Sequence, residues 1–393
     1  MKRFVSSLLL STLLLFNGCG GGDSSTVVTS DNFTLAEKEF VHTLFLTEYL
    51  WYEDVPATID YNAYLTPQSL VTALRVDPPD KWSFTITSQE YEDYVNQTTA
   101  GFGFGYTADF VIYLVRIDAP AWQKLQRGDR ILALNGQSVT SDLLQSDSAN
   151  LGTPATFTVE RNGTVVDVTV TPSTYTFKVT SGSVITHNNL KIGYLRYDSF
   201  TSTSVTEIED AYTLFKNENV SELVIDLRYN GGGSVTVASI LLDNITNQHP
   251  GEKQFYLDWN ANYKNFNEIY YFSNEIDAND LNMTRVFFLV TQNSASASEL
   301  MISALKPYFG DAQVITIGDY THGKNVGMQG RVYNDNYYFL INFYVRNSAD
   351  ETTSFDGIPP TCTAEDDLTH LRGDVNETML QTALFYLDNG SCP

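Results

Sequence analysis

The spacing of hydrophobic positions changes along the chain and divides most of it into three regions. Between residues 33 and 98 apolar residues such as Leu35 and Leu44 recur at helical spacing, which predicts a small helical N-terminal domain. Residues 99–175 contain short β-type runs separated by glycine turns, which predict a β domain. Over residues 176–393 strand and helix patterns alternate, which predicts an α/β core.

A polar turn follows the buried strand predicted over residues 286–290, and a helix is predicted to begin at Ala297. Ser296 lies at this junction, with Glu299 three residues later. One interpretation is a capping box, in which the two side chains satisfy N–H groups at the start of the helix. The other is a serine nucleophile, because free N–H groups and the helix dipole favour a developing negative charge at such a turn.

A second polar motif ends the buried strand predicted over residues 222–228. Asp226 and Arg228 are two positions apart, so their side chains leave the same face of the sheet. They form either a structural ion pair or part of a catalytic site. The glycines that follow, Gly231 and Gly232, favour close backbone approach to a peptide or an oxyanion. A phosphate cradle is disfavoured because the sequence has neither Gly-x-Gly-x-x-Gly nor Gly-Lys-Ser/Thr.

The turn-rich loop after the strand predicted over residues 313–318 carries Lys324. This lysine is either a solvated surface charge or a general base, and the second role requires that burial and neighbours lower its pKa. His322 is a minor candidate for the base, because the five histidines are not accompanied by a Gly-x-Ser-x-Gly motif. We expect no metal and no other cofactor, since the sequence has no His-Glu-x-x-His motif and no cysteine cluster.

Charge excludes some partners. The chain of 393 residues has 47 acidic and 23 basic residues, a formal net charge of −24. Such a field argues against a nucleic-acid partner, which needs a basic footprint, and against electrostatic docking on anionic lipid.

The N-terminus has the layout of an export signal. Residues 1–18 combine two basic residues with a short apolar run, and residues 19–32 form a polar, glycine-containing linker. The sequence around Cys19 resembles a bacterial lipobox, which predicts lipidation of Cys19; the alternative is an ordinary signal peptide with an incidental cysteine. We therefore expect a lipid-anchored bacterial envelope protein that faces the periplasm or the cell surface.

Two further cysteines, Cys362 and Cys392, are expected to form one disulfide in an exported chain. The alternative, two free thiols, would require a reducing compartment.

The β domain begins with an alternation of glycine and phenylalanine. Its loop consists of Gly101, Phe102, Gly103 and Phe104. Together with the later Gly-Asp-x-Ile and Asn-Gly turns, this order resembles a PDZ domain, in which such a loop binds the terminal carboxylate of a peptide. Taken alone, the four residues would be a plain hairpin or loop.

The full set of motifs resembles the C-terminal processing peptidases, also called tail-specific proteases, which use a Ser-Lys dyad. The resemblance extends from about residue 33 to 360. It is carried by the motifs Ile225-Asp-Leu-Arg-Tyr-Asn-Gly-Gly-Gly233, Ser294-Ala-Ser-Ala-Ser-Glu299, Gly323-Lys324 and Gln329. It implies an α/β, multidomain (α+β) chain with a crotonase/ClpP-like protease core, an inserted PDZ-like domain and a small helical N-terminal domain.

The resemblance also implies a role for each matching residue. Ser296 would be the nucleophile, Lys324 the base and Gln329 the residue that orients the lysine. Asp226, Arg228 and Glu299 would support the site, and the oxyanion hole would be formed by Gly231, Gly232 and Ala297. Two departures concern the lysine region: Gln329 lies one residue further from Lys324 than in the family pattern, and Asn325 replaces a glycine.

The function implied is a serine endopeptidase that captures accessible C-terminal tails of protein or peptide substrates through its PDZ-like domain. The alternative is a non-catalytic peptide- or ligand-binding protein, or a scaffold, on the same fold. The sequence predicts no oligomeric state.

Overall fold

Residues 33–275, 277 and 279–393 are described here from a computed structural model of the protein. The predicted signal, the linker and Cys19 lie outside these residues. Within the described part of the chain, no helix has the length and apolar character needed to cross a membrane.

The helices agree closely with the periodicity of the sequence. In chain order they are α1 (Leu35–Thr47), α2 (Pro67–Leu74), α3 (Ser88–Val95), α4 (Ser141–Ala149), α5 (Ser204–Glu218), α6 (Val235–Ile245), α7 (Ala297–Phe309) and α8 (Thr378–Asn389). Short 3-10 helices occur at Tyr52–Asp54, Tyr61–Ala63 and Ala261–Phe266. Helix α2 begins at a capping box formed by Thr66 and Ser69, with proline at its first position.

The strands belong either to the core and the sheet beside it or to the β domain. In chain order they are β1 (Phe84–Thr87), β2 (Thr98–Gly101), β3 (Phe104–Tyr106), β4 (Ile112–Val115), β5 (Arg130–Leu134), β6 (Gln137–Ser138), β7 (Ala155–Arg161), β8 (Thr164–Val170), β9 (Ser173–Thr176), β10 (Thr180–His187), β11 (Leu190–Tyr197), β12 (Glu222–Asp226), β13 (Lys253–Trp259), β14 (Glu268–Tyr271), β15 (Val286–Val290), β16 (Val314–Gly318), β17 (Val326–Tyr333), β18 (Asn336–Asn347) and β19 (Cys362–Thr363).

A six-stranded sheet in the order β10-β11-β12-β15-β16-β19 forms the centre of the core. From β11 to β19 neighbouring strands are parallel, and β10 pairs antiparallel with β11. All five residues of β15 and of β16 are buried, as expected for parallel strands covered on both faces. Helices α5, α6 and α7 cover one face and α8 covers the other.

A second sheet of five strands packs beside this core. Its path is β1-β18-β13-β14, and β17 also pairs with β18. Strands β13 and β14 come from the aromatic-rich segment 248–283, whose structure the hydrophobic pattern does not predict. Aromatic residues of this sheet such as Trp259 and Phe343 join the cluster under α6 and α7.

The N-terminal region contains the helices α1, α2 and α3 and also a strand, β1. Its strand β1 pairs with β18 from Phe84 opposite Phe339 to Thr87 opposite Asn336. Buried residues of α1 and α2 share one hydrophobic cluster with β17 and β18. The region is therefore anchored on the strands that follow the Lys324 loop, a long-range pairing that local periodicity does not report.

The β domain has its own hydrophobic core. It contains a four-stranded sheet in the order β6-β5-β7-β8 and two strand pairs, β2 with β9 and β3 with β4. Phe102, Phe104 and Phe157 lie at the centre of its buried cluster. Because β2 and β9 pair with each other, the entry and exit of this domain lie side by side.

Candidate functional site

Three loops meet at one edge of the six-stranded sheet. Strands β12, β15 and β16 are adjacent and parallel, and their registers place Asp226 opposite Leu289 and Val290 opposite Gly318. The glycine loop, the Ser296 turn and the Lys324 loop each leave the carboxyl end of one of these strands. This edge is where open α/β sheets commonly bind ligands.

Ser296 has a strained backbone conformation, with φ of 58° and ψ of −112°. Such a conformation costs about 1–3 kcal/mol in a residue other than glycine and persists only when its surroundings hold it. Here Ala295 N–H and the Ser298 hydroxyl both donate to the Asn230 carbonyl at 3.0 Å. The Ser294 hydroxyl donates to the Leu227 carbonyl at 2.7 Å. The strained turn is thus fixed to the end of β12.

Glu299 connects the serine turn with the lysine loop. Its buried carboxylate accepts hydrogen bonds from the N–H groups of Ser296 (2.9 Å), Gly323 (2.7 Å) and Lys324 (2.9 Å), and from the Thr321 hydroxyl (2.6 Å). Burial raises the pKa of this carboxyl, although the four donors act in the opposite direction. The hydrogen bond from the Ser296 N–H to Glu299, which the capping-box interpretation predicts, is therefore observed. Glu299 also orders the Lys324 loop.

Lys324 is buried, with 1% of its surface exposed. Its Nζ has no hydrogen-bond partner among the described residues. Burial lowers the pKa of Lys324 to about 7, and the carboxylates of Asp80 and Glu299 oppose this shift. The interpretation as a solvated surface charge is wrong, because the side chain is enclosed by protein.

Ser296 and Lys324 line the same small cavity. Its volume is about 20 Å³, room for roughly one water molecule. Its other lining residues are Val235, Ala297, Leu300, Ser303, Asn325, Val345, Asn347 and Thr353. No hydrogen bond joins the Ser296 hydroxyl to Lys324 in this structure, and catalytic hydrogen bonds often tighten only when substrate binds.

Two residues predicted to form the oxyanion hole, Gly232 and Ala297, adjoin Ser296. Ala297 begins α7, where the first N–H groups have no carbonyl partner within the helix. Gly232 packs against the serine turn so closely that a Cβ atom at this position would lie 2.8 Å from the Ser296 Cβ. The Gly232 N–H, however, donates to the Asn230 side-chain oxygen at 2.8 Å. In this structure the Gly232 N–H therefore already has a hydrogen-bond acceptor within the protein.

Asp226 and Arg228 form the centre of a buried ion-pair network. Asp226 accepts from the Tyr194 hydroxyl (2.5 Å), from Arg228 Nε (3.0 Å) and from Arg372 Nε (3.0 Å). Arg228 donates through both terminal nitrogens to Glu377, at 2.9 and 3.0 Å. Burial raises the pKa of Asp226, but Arg228 and Arg372 outweigh it and hold the pKa well below its ordinary value. This geometry is that of the structural ion pair.

Two partners in this network, Arg372 and Glu377, were missed by sequence reasoning. They lie in the C-terminal segment, more than a hundred positions after Asp226. Glu377 also caps α8 by accepting the Leu380 N–H at 3.1 Å. The helix cap is the only local signal for Glu377, and it does not indicate that Glu377 pairs with Arg228.

Gln329 and His322 are not bonded to the lysine. Gln329 lies on β17, and its backbone N–H donates to the Asn342 side chain at 2.6 Å. Its side chain is not hydrogen-bonded to Lys324 Nζ, which has no such partner among the described residues. His322 Nδ1 lies 3.0 Å from the Gln292 carbonyl.

The glycine–phenylalanine loop of the β domain is folded against a neighbouring turn. The Phe102 carbonyl accepts the Ala121 N–H at 2.9 Å, and the Gly103 carbonyl accepts the Arg116 N–H at 2.9 Å. Gly103 has a φ of 85°, and a Cβ atom there would lie 2.7 Å from the Tyr175 hydroxyl oxygen. The glycine is therefore required by both conformation and space.

Cys362 and Cys392 form a disulfide with their Cα atoms 5.5 Å apart, which ties the C-terminus to β19. No group of three or more histidine, cysteine, aspartate or glutamate residues in the described part of the chain could hold a metal ion.

Two family models match the chain. The model for peptidase family S41 matches residues 191–364, and the model for the peptidase S41 N-terminal domain matches residues 36–84. Together they match more than half of the sequence, and they include the serine turn, the lysine loop and all of α1 except its first residue.

Curated relatives point in the same direction. A protein of Staphylococcus saprophyticus described as a CtpA-like serine protease is 26% identical over 273 residues, which are 65% of this chain and 52% of that protein. A carboxyl-terminal-processing protease of Picosynechococcus sp. is 26% identical over 212 residues, 51% of this chain and 47% of that protein. The chain thus spans about half the length of the curated relatives it matches.

Solved structures show the same fold. A Bacteroides fragilis protein assigned to the S41 proteases superposes with a TM-score of 0.78 at 24% identity, covering 90% of this chain and 97% of that one. The photosystem II D1 C-terminal processing protease superposes with a TM-score of 0.50 at 16% identity, covering 84% and 93%. At these identities the likeness establishes the α/β protease fold alone.

Proposed function

Because the chain belongs to peptidase family S41, we propose that it is a serine endopeptidase with Ser296 as nucleophile and Lys324 as general base. One observation carries the proposal: a serine in a strained strand-to-helix turn shares a small cavity with a buried, unpartnered lysine. A lysine with a pKa of about 7 is neutral in a large fraction of molecules at neutral pH, so it can accept a proton.

The proposed chemistry follows from these positions. The Ser296 oxygen attacks the carbonyl carbon of the scissile peptide bond while its proton passes to Lys324 Nζ. The lysine then returns the proton to the leaving amine, and a water molecule hydrolyses the acyl-enzyme. The Ala297 N–H at the start of α7 stabilises the oxyanion, supported by the N-terminal dipole of the helix.

We further propose that the substrate is the C-terminal tail of a protein. An open cleft of about 460 Å³ runs between α3, the β domain and the core. Tyr113 and Arg116 of the β domain line one part of it, and Gly231 and Gly232 beside the Ser296 turn line another. An extended tail held by the PDZ-like domain could follow this cleft to the serine. The carboxyl-terminal processing named for the Picosynechococcus relative fits such a path.

The envelope location belongs to the same proposal. The predicted signal over residues 1–18 and lipidation of Cys19 would place the enzyme in the envelope, where protein tails are accessible. The predicted PDZ-like capture and the lipid anchor together define a lipid-anchored, tail-specific peptidase.

Ser296→Ala tests the nucleophile. A reporter protein with an apolar C-terminal tail is incubated with wild-type and variant enzyme, and the fragments are identified by mass spectrometry. We expect at least about a thousandfold loss of cleavage without loss of folding. Ser181→Ala, at an exposed position on β10, is the matched serine control.

The same reporter separates an enzyme from a binding protein. Removing the tail should abolish cleavage if the tail is the captured element. A wild-type protein that binds the tail but never cleaves the reporter, and whose Ser296 is not labelled by a serine-reactive probe, would be a non-catalytic binder.

A further inference from the structure

The Lys324 loop has a neighbour from the other end of the chain. The turn of residues 80–83, between α2 and β1, packs against it. Trp82 lies 6.3 Å from the ring of His322 and stacks on Phe355 at 5.9 Å. The Ser83 hydroxyl oxygen accepts the Ile341 N–H of β18 at 3.1 Å. The turn of the N-terminal region therefore adjoins the Lys324 loop through Trp82 and His322.

Asp80 is the acidic residue of this turn and is completely buried, whereas Lys81 beside it is exposed. One carboxylate oxygen accepts the N–H groups of Trp82 (2.8 Å) and Ser83 (2.9 Å). The other accepts the hydroxyls of Tyr49 (2.8 Å) and Ser83 (2.5 Å). Three donors of the turn and the Tyr49 hydroxyl, which follows α1, thus hold the carboxylate in one position.

Two carboxylates act on the buried amine of Lys324, Asp80 and Glu299, and the effect of Asp80 is the larger. Glu299 is engaged by four donors of the two catalytic loops. Neither carboxylate is hydrogen-bonded to Lys324 Nζ. Asp80 consequently acts on the lysine as a fixed negative charge across the junction between the N-terminal region and the core.

A fixed negative charge has a defined use in the proposed reaction. When the Ser296 O–H bond breaks, the proton forms a new N–H bond on Lys324, and a cation appears in a cavity with room for about one water. Desolvation makes that cation costly unless an opposite charge is near. Asp80 offsets the cost without forming a hydrogen bond that would turn the amine away from Ser296.

We propose that Asp80 is a positioning residue for the general base, through which the N-terminal region supplies the negative charge that stabilises Lys324 after proton transfer. This inference rests on the proposed Ser296–Lys324 mechanism. It assigns the N-terminal region a part in catalysis beyond packing on β17 and β18.

The test is the pH profile of kcat/KM for cleavage of the tailed reporter by Asp80→Asn. In the wild type the acid limb should lie near pH 7, because only the neutral lysine accepts the proton. Removing the negative charge should move this limb toward lower pH by roughly one unit and lower the plateau. A purely structural role for Asp80 would lower the plateau without moving the limb.

The fold should tolerate the substitution. An asparagine can keep its oxygen on the two N–H groups and donate its amide to the hydroxyls of Tyr49 and Ser83. Asp80→Ser is a second neutral variant, because a hydroxyl can also accept from the turn N–H groups. Both neutral variants should shift the limb in the same direction.

Two controls separate charge from contact. Tyr49→Phe removes a hydrogen bond to Asp80 but keeps the carboxylate, so its acid limb should stay at the wild-type pH. His322→Gln changes the ring that Trp82 contacts but leaves the carboxylate in place, so it should also leave the limb where it is. A folded Asp80→Asn with an unshifted limb, or a shift in Tyr49→Phe equal to that in Asp80→Asn, would overturn the proposal.

A measurement without turnover distinguishes failure of this inference from failure of the proposed function. The Lys324 side chain can be titrated by NMR with isotope-labelled lysine, using Lys324→Met for assignment, with and without Asp80→Asn. A Lys324 pKa that falls in Asp80→Asn supports the coupling even if no peptidase activity is found. An unchanged pKa refutes the coupling even if Ser296 proves to be the nucleophile.

Discussion

Lys324 and Arg228 are both buried basic residues near the same edge of the six-stranded sheet, but they differ in their hydrogen-bond and ion-pair partners. Arg228 has no exposed surface and forms ion pairs with Asp226, Asp366 and Glu377. Lys324 is 1% exposed, and its amine has no hydrogen-bond partner among the described residues. Both residues are candidates for the site in the sequence, yet among the described residues only Arg228 has ion-pair partners in contact with it.

The difference separates a structural charge from a reactive one. Burial lowers the pKa of Arg228, but Asp226 and Glu377 more than offset this and raise the pKa well above its ordinary value. Arg228 therefore exchanges no proton under physiological conditions. For Lys324 burial prevails and lowers the pKa to about 7. A buried cation without a bonded partner is unfavourable for folding, and this is the condition in which a lysine can serve as a base.

The largest effect is expected from Lys324→Met, which replaces the amine with an apolar side chain of similar length. Removal of the base should reduce kcat/KM by roughly 10³-fold or more. Stability should be unchanged or higher, because an unpartnered polar group leaves the interior. Reporter cleavage and thermal unfolding measure the two effects separately.

A Lys324→Met protein that lost stability as well as activity would place the lysine with Arg228, as a structural charge. Ser296→Ala is the matched comparison, since it should lose activity to a similar degree through the other member of the dyad.

Arg228→Met is expected to give the opposite result. It leaves Glu377 without its bidentate partner and Asp226 with only part of its network. Breaking a buried ion pair in this way typically destabilises a protein by about 3–5 kcal/mol. Denaturant unfolding measures the loss, and labelling of Ser296 by a serine-reactive probe at low temperature reports whether the site survives.

Lys191→Met is a suitable control for the loss of a cation as such. Lys191 pairs with Glu218 at 2.7 Å, and both side chains are nearly half exposed. Exposed pairs contribute at most about 1 kcal/mol. If Arg228→Met were inactive but as stable as the wild type, Arg228 would have a catalytic role instead of a structural one.

The sequence predicts the serine turn and the strand before it well, because the signals for both are local. The strand over residues 286–290 is confirmed residue by residue, and Ser296 does precede the first residue of α7. Periodicity, a strand-to-helix turn and a motif spacing were sufficient for both. The family was recognised from the same motifs, and the model matches over residues 36–84 and 191–364 agree with it.

What the sequence did not predict depends on contacts between distant segments. Asp80, whose turn contacts the Lys324 loop through Trp82, precedes Lys324 by 244 positions, and strand β1 pairs with β18 over a similar separation. Arg372 and Glu377 reach Asp226 and Arg228 from the C-terminal segment. Their local patterns indicate a turn or a helix cap, and the charge that each one meets is determined only by the tertiary structure.

The smallest effect is expected from Gln329→Ala, and it tests the resemblance where the chain departs from the family pattern. The Gln329 side chain makes no hydrogen bond to Lys324 in this structure, so removing it should lower kcat/KM less than about tenfold, the value of one ordinary hydrogen bond. Glu299→Gln should lower it more, because Glu299 joins the serine turn to the lysine loop through four donors. If Gln329→Ala instead lost activity as severely as Lys324→Met while remaining folded, the glutamine would have to turn onto the lysine when substrate binds. The cavity seen here would then describe only the substrate-free enzyme. Lys324 would gain a hydrogen-bond partner when a substrate tail binds, and its contrast with Arg228 would be lost.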